Sequence, residues 1–180
     1  MVKPIIFQVV GYQNSGKTTL TSKLIETLST QGLKTVTIKH HGHGGKPDVV
    51  EQKDSTIHLS AGAIASLVEG NGRLILQAEK CEFSLEQQIE LMKFFHSDVI
   101  LVEGHKSENY PKLLLVRDNR DLPLLDLVNN VQAVVYWKEE MIDLISAKLD
   151  VPAFLIYDEA VINWTVQLIK KLVHNMDEKN

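Results

Sequence analysis

Residues 11–18 run Gly11-Tyr12-Gln13-Asn14-Ser15-Gly16-Lys17-Thr18, a G-x-x-x-x-G-K-T loop of the kind that wraps a polyphosphate in backbone N–H groups. Within it, Lys17 supplies a point charge for β- and γ-phosphate oxygens. Thr18 supplies a hydroxyl for Mg²⁺, which keeps several waters and takes only one or two protein oxygens. Gly11 and Gly16 let the main chain approach an anion with no Cβ in the way, while Asn14 and Ser15 complete the loop. Thr19, one residue on, is within reach of a phosphate oxygen.

A carboxylate is needed opposite Thr18 to hold or orient the metal. Glu103 is the natural candidate, because the apolar run Val99–Val102 delivers it to a strand end and Gly104 clears room beside a phosphate. Asp48 and Asp54 are alternatives that could join the metal shell through water. Lys39 and His40 follow another strand-like run and are expected near the γ-phosphate. Lys17, Glu103 and Lys39 form the expected catalytic set. His40, His41 and His43 also invite a transition-metal reading. Adjacent histidines in a glycine-rich loop have no fixed geometry, however, and no cysteine assists, so an active-site loop is the simpler reading. Arg117 either approaches phosphate or lies on the surface. Trp137 and Trp164 read as packing residues.

The elements that must carry these groups follow from periodicity. Ile5–Val10 is a buried strand, and after the loop Leu20, Leu24, Ile25 and Leu28 recur at helical spacing up to Gly32. Further strands are expected at 33–39, 98–104, 112–116, 131–136 and 153–156. Helices are expected at 54–61, from Ser84 (a capping-box start, with a stripe of Leu85, Ile89, Met92 and Phe95), at 139–149 and at 159–173. The Asn71-Gly72 step joins 63–68 to 73–77 as an antiparallel hairpin. Alternating strands and helices predict a three-layer α/β fold of the P-loop NTPase kind, with a mostly parallel sheet and the hairpin inserted at about 63–78. In such sheets ligands bind beyond the carboxyl ends of the strands, where the loop, the His-rich stretch and Glu103-Gly104 all fall.

The 180 residues are expected to form one domain. A net charge of −4 and only three arginines argue against a nucleic-acid or membrane partner. Cys81 is the sole cysteine, so no intrachain disulfide or cysteine cage can form. A reducing, cytoplasmic setting is expected, with no signal peptide and no membrane span. Position 12 is Tyr rather than a second cation, and no arginine finger is evident, so phosphoryl transfer should be slow.

The phosphate loop is followed in order by Lys39-His40-His41-Gly42-His43, Asp48, Lys53-Asp54-Ser55, Ala61-Gly62-Ala63, Glu103-Gly104-His105-Lys106 and Tyr110-Pro111-Lys112. This set resembles the MobB family of molybdopterin-guanine dinucleotide biosynthesis proteins over roughly residues 1–120. The resemblance implies a GTP-binding protein with feeble GTPase activity, usually a homodimer. It also implies an adaptor role beside MobA, the guanylyltransferase that joins GMP to molybdopterin. Carried over, Lys17 and Thr18 hold phosphate and Mg²⁺, with Lys39, His40, Asp48, Asp54 and Glu103 around the γ-phosphate. A metal-delivery GTPase and a small-molecule P-loop kinase are the competing readings.

Overall fold

The computed structural model describes residues 3–42, 54–79 and 82–177. In chain order the elements are β1 Ile5–Val10, α1 Lys17–Thr30, β2 Thr35–Lys39, α2 Asp54–Ser60, β3 Ala65–Gly70, β4 Arg73–Ala78, α3 Leu85–Lys93, β5 Val99–Glu103, β6 Lys112–Val116, α4 Leu124–Leu127, β7 Val131–Tyr136, α5 Ile142–Ser146, β8 Ala153–Leu155 and α6 Ala160–Asp177. Six strands form one sheet in the order β2-β5-β1-β6-β7-β8, every pair parallel. The expected hairpin is present, but β3 and β4 make a separate antiparallel sheet rather than extending the main one.

The apolar runs explain the layering. Successive strand residues point to opposite faces, so a strand hydrophobic throughout must be covered on both sides. On one face Phe7, Val9, Leu101, Leu115 and Val135 meet Leu20, Leu24 and Leu28 of α1 together with Val161, Val166 and Ile169 of α6. The opposite face divides in two. Ile38, Ile100 and Val102 pack on Leu85 and Ile89 of α3, and Val10, Leu114, Val116 and Val134 pack on Leu124, Met141 and Ile145. β5 is wholly buried, which makes its carboxyl end a rigid mount for whatever follows.

The helix starts follow local chemistry. Ser84 accepts the Gln87 N–H while the Gln87 side chain accepts the Ser84 N–H, the reciprocal cap that the spacing predicted. That helix ends at Lys93, leaving Phe95 beyond it and half exposed rather than in the buried stripe. The region expected as one helix over 139–149 is a 3₁₀ turn at Glu139–Met141 followed by the short α5, with helical hydrogen bonds persisting from Leu149 N–H to the Ile145 carbonyl. A second 3₁₀ turn, Asn119–Asp121, and the one-turn α4 lie between β6 and β7, where no element was expected. Asp118 caps the 3₁₀ turn through the Arg120 N–H, and Pro123 presets the backbone for α4.

Candidate functional site

The carboxyl ends of β1, β2, β5, β6 and β7 share one edge of the sheet, and the site is built there. After β1 the chain enters the phosphate loop through Gly11, where a Cβ would sit 2.8 Å from the Leu115 carbonyl oxygen, so only glycine lets β1 and the loop approach β6 this closely. Gly16 stands at the N-cap of α1 with no side-chain cap. The first amides of that helix are therefore available to an anion, and the helix dipole adds partial positive charge.

Lys17 folds over the loop, its Nζ donating to the Tyr12 carbonyl at 2.6 Å and lying 3.5 Å from Ser15 Oγ. Burial lowers the Lys17 pKa. Glu103 opposes that shift, whereas Lys106 and Lys39 reinforce it by like-charge repulsion. This ammonium is short of hydration and of counter-charge, a state that an arriving phosphate would relieve.

Thr18 Oγ1 donates to Glu103 Oε1 at 2.9 Å. Lys39 Nζ donates to Thr18 Oγ1 at 3.2 Å and lies 3.4 Å from Glu103 Oε1. Three groups from three elements, α1, β2 and β5, thus converge on one oxygen-lined point. The register explains it, since Lys39 is paired with Glu103 across the parallel β2–β5 ladder. The His40 N–H continues that ladder to the Glu103 carbonyl at 2.9 Å. Gly104, at φ +102°, then turns the chain so tightly that a Cβ would stand 2.9 Å from His40 Cβ. From the middle of the sheet, buried Gln8 fixes this turn, its Nε2 donating to the carbonyls of Gly104 (3.1 Å) and His105 (2.8 Å).

Two clefts open on this edge. One of about 500 Å³ is lined by the loop, Thr18, Thr19, Lys39, His40 and Glu103. A larger one of about 1020 Å³ shares Gln13, Lys17, His40 and Gly42 with it and extends past Tyr12, His105, Lys106, Arg117 and Arg120. A third, of about 330 Å³, abuts Gly16 and Thr19 and is walled by Trp137, Ile156 and Tyr157.

The structure thus brings together Gly11, Asn14, Ser15, Gly16, Lys17, Thr18, Thr19, Lys39, His40, Glu103 and Gly104. His43 and Asp48 lie outside the described residues. Asp54 begins α2, which packs beside β3 of the hairpin. Among the described residues no group of three or more His, Cys, Asp or Glu side chains is disposed to hold a metal ion. No helix among them is long and apolar enough to cross a membrane.

Other residues of the edge were given no site role by the sequence, apart from Arg117, which it left open. Trp137 is part of the loop's wall, its Nε1–H donating to the Ser15 carbonyl at 3.0 Å and its ring meeting Tyr157 edge-on at 5.9 Å. Trp164 packs on Phe154 in the core, as its position in the last helix predicted. His105 stacks at a tilt on His40, with 4.6 Å between centroids, and Lys106 Nζ lies 5.4 Å from the Tyr12 ring centroid. Arg117, left between surface and site by the sequence, lines the larger cleft with Arg120. Each of Trp137, His105, Lys106 and Arg117 follows a strand end. The carboxyl-end rule, applied to β6 and β7 as well as to β1, β2 and β5, would have found them.

Comparison with known proteins agrees with this geometry. Residues 6–137 match the family described as MobB, molybdopterin guanine dinucleotide synthesis protein B. A probable molybdopterin-guanine dinucleotide biosynthesis adapter protein of Bacillus subtilis is 43% identical over 142 residues, covering 78% of this chain and 81% of that protein. The corresponding adapter protein of Escherichia coli is 31% identical over 157 residues, covering 86% and 89%. The crystal structure of Bacillus subtilis MobB superposes with a TM-score of 0.75 at 36% identity, covering 91% of this chain and 96% of that one. A MobB homologue from Bacillus stearothermophilus gives 0.73 at 31% identity, covering 92% and 98%. A phosphate loop facing a strand-end glutamate, on a parallel sheet that these proteins share along nearly its whole length, is the frame in which the ordered motifs sit, and the chain belongs to the MobB family of molybdopterin guanine dinucleotide biosynthesis.

Proposed function

We propose that this chain binds Mg²⁺–GTP on its phosphate loop, hydrolyses it slowly, and acts as a homodimeric adapter beside a MobA-type guanylyltransferase as GMP is joined to molybdopterin. The observation that carries the nucleotide reading is the 2.9 Å contact of Thr18 Oγ1 with Glu103 Oε1 at the mouth of an uncapped helix. Adjacent ligands of an octahedral Mg²⁺ with bonds near 2.1 Å stand about 2.9–3.0 Å apart, so this hard-oxygen pair fits two neighbouring positions of that ion. The remaining positions suit phosphate oxygens and water. Once bound, the ion supplies charge neutralisation of the phosphate tail.

The protein's own groups do the rest. Loop amides and the first turn of α1 cradle the β-phosphate, and Lys17 exchanges the Tyr12 carbonyl for phosphate oxygens. Lys39 and His40 flank the γ-phosphate, and Glu103 accepts a hydrogen bond from a water aligned with the γ-phosphorus. Slowness has a structural reason. Arg117 and Arg120 line the larger cleft and not the phosphate-loop cleft, so neither guanidinium stands beside charge developing on the phosphoryl group. The nucleoside lies toward the cleft of Trp137, Ile156 and Tyr157, whose aromatic wall suits a flat base.

A homodimer is supported by the hairpin, whose Leu67, Val68, Ile75 and Leu76 are all exposed. The adapter role rests on family membership and on the names of the relatives.

Calorimetric titration of the whole chain with GTP, GDP and ATP, with and without Mg²⁺, tests the nucleotide part. GTP should bind at least tenfold more tightly than ATP, and removing Mg²⁺ should weaken it. Equal affinity for ATP and GTP, with no response to a MobA-type enzyme and molybdopterin, would overturn the proposal.

A further inference from the structure

The larger cleft is more than the nucleotide's own phosphates need. It is about twice the volume of the phosphate-loop cleft and includes neither Thr18 nor Glu103. The two clefts meet at Lys17 and His40, so a molecule seated in the larger one would face the γ end of a nucleotide.

Its charge is one-sided. Four cations, Lys17, Lys106, Arg117 and Arg120, line it. Against them stand Asp121, buried and accepting the Arg117 N–H at 2.8 Å, and the neighbouring Asp118. With Lys17 given to the nucleotide, Lys106, Arg117 and Arg120 still outnumber the two carboxylates, a balance that favours an anionic group such as a phosphate monoester.

The arginines are also fixed in advance. Asp118 holds the Arg120 fork through Nε and Nη2, and Arg117 Nε lies near the same carboxylate. Each guanidinium carries five donors, so both keep several to offer a planar or tetrahedral anion without reordering a long side chain. Lys106 is exposed and close to the Tyr12 ring, which gives the site one mobile cation and one apolar wall.

The free volume, the excess of cations and the aromatic wall together describe a ligand with an organic body and an anionic end. We infer that this cleft is a second ligand site, which takes a small organic molecule through its phosphate monoester while a nucleotide occupies the phosphate loop. The inference rests on the proposed nucleotide reading only for which cleft the nucleotide takes.

Titration of the full chain with phenyl phosphate tests it, first on the empty protein and then on protein saturated with Mg²⁺ and a non-hydrolysable GTP analogue. One equivalent should bind the nucleotide-saturated protein and at least one the empty protein, at least tenfold more tightly than benzoate or benzyl alcohol. The double variant Lys106→Gln/Arg120→Gln, at two exposed positions, should weaken phenyl phosphate at least tenfold and change affinity for the nucleotide analogue less than threefold. Binding that disappears on nucleotide saturation would overturn the inference, because phenyl phosphate would then only be competing for the loop. A double variant that binds phenyl phosphate normally would also overturn it. So would one that loses nucleotide affinity to the same degree, since the cations would then belong to the nucleotide tail. If the nucleotide analogue itself fails to bind, the phosphate-loop reading falls, and the empty-protein titration of wild type and double variant still decides the second site.

Discussion

The phosphate edge and the β3–β4 hairpin are made of similar residues and end up in opposite states. β5 is entirely buried, and its apolar side chains, packed into the core on both faces of the sheet, hold Glu103 and Gly104 still. In the hairpin, Leu67 faces Leu76 and Val68 faces Ile75, with exposures of 57, 43, 45 and 41%. Neighbouring residues of a strand point to opposite faces, so both faces of this ribbon are greasy and wet. A two-stranded ribbon is at best marginal alone in water, and an apolar patch of this kind marks an interface. One region is complete within the chain, and the other leaves an apolar surface uncovered, where the proposed dimer would close. Nucleotide chemistry and assembly should therefore be separable by mutation.

The largest expected effect lies at the complete region. Lys17→Ala removes the partly buried ammonium that the loop folds around while leaving the core intact. Nucleotide affinity should fall about a thousandfold, roughly 4 kcal/mol, with an unchanged far-ultraviolet spectrum and unchanged dimerisation. A drop of less than tenfold would mean that the loop does not grip a polyphosphate.

At the incomplete region, Leu67→Asp/Leu76→Asp puts two carboxylates on one cross-strand pair. Each leucine buried in an interface contributes about 1.5–3 kcal/mol, so dimerisation measured by analytical ultracentrifugation should weaken about a hundredfold or more. Nucleotide affinity should move less than twofold. An unchanged sedimentation profile would place the dimer contact elsewhere, and a parallel loss of nucleotide binding would dissolve the contrast between the two regions.

A subtler change sharpens the view of the edge itself. Glu103→Gln keeps shape and can still accept the Thr18 hydroxyl proton, but it loses the negative charge beside Lys39. The Mg²⁺ dependence of nucleotide affinity should shrink about tenfold, with the Mg²⁺-free affinity nearly preserved. If affinity with and without Mg²⁺ falls equally, Glu103 is a structural partner of Lys39 and not a metal ligand.

The two regions also differ in how far sequence could describe them. The edge was legible because each strand is a short, unbroken apolar run and parallel sheets put binding groups at carboxyl ends. That rule put the loop, the His-rich stretch and Glu103-Gly104 on one edge, and the need for a carboxylate opposite Thr18 singled out Glu103. It said nothing of lateral neighbours. Lys106 reaches Tyr12, and Trp137 reaches Ser15, only because the strand order sets β5 and β6 on either side of β1, with β7 next to β6. The 3₁₀ turn that lifts Arg120 to the cleft has three residues and no periodicity to detect. The hairpin's turn was legible from Asn71-Gly72, which both take positive φ. Its isolation as a separate sheet was not, because alternation along a strand does not say whether anything covers it.

The smallest effect probes the wall of the larger cleft, where His105 lies. His105 sits at φ +54°, against His40, and its Nε2 is buried with no hydrogen-bond partner among the described residues. Burial lowers its pKa, the nearby His40 lowers it further, and Glu108 and Glu86 partly oppose this. The folded imidazole therefore binds a proton less readily than the unfolded one, whose pKa is near 6.5. Between the lowered folded value and about 6.5 the unfolded chain carries more protons, so stability rises with pH across that window and is flat above it. His105 is only half-buried, so solvent screening keeps its contribution to Tm to about one degree. His105→Asn, which tolerates the left-handed backbone, should flatten the Tm profile below pH 6.5 and leave it unchanged at pH 8. In the wild type, the imidazole C2 proton resonance should titrate below the ordinary histidine range. A midpoint above 6.5 would mean that this wall already carries an acidic partner for His105, and the cleft would then be less positive than its lining residues make it.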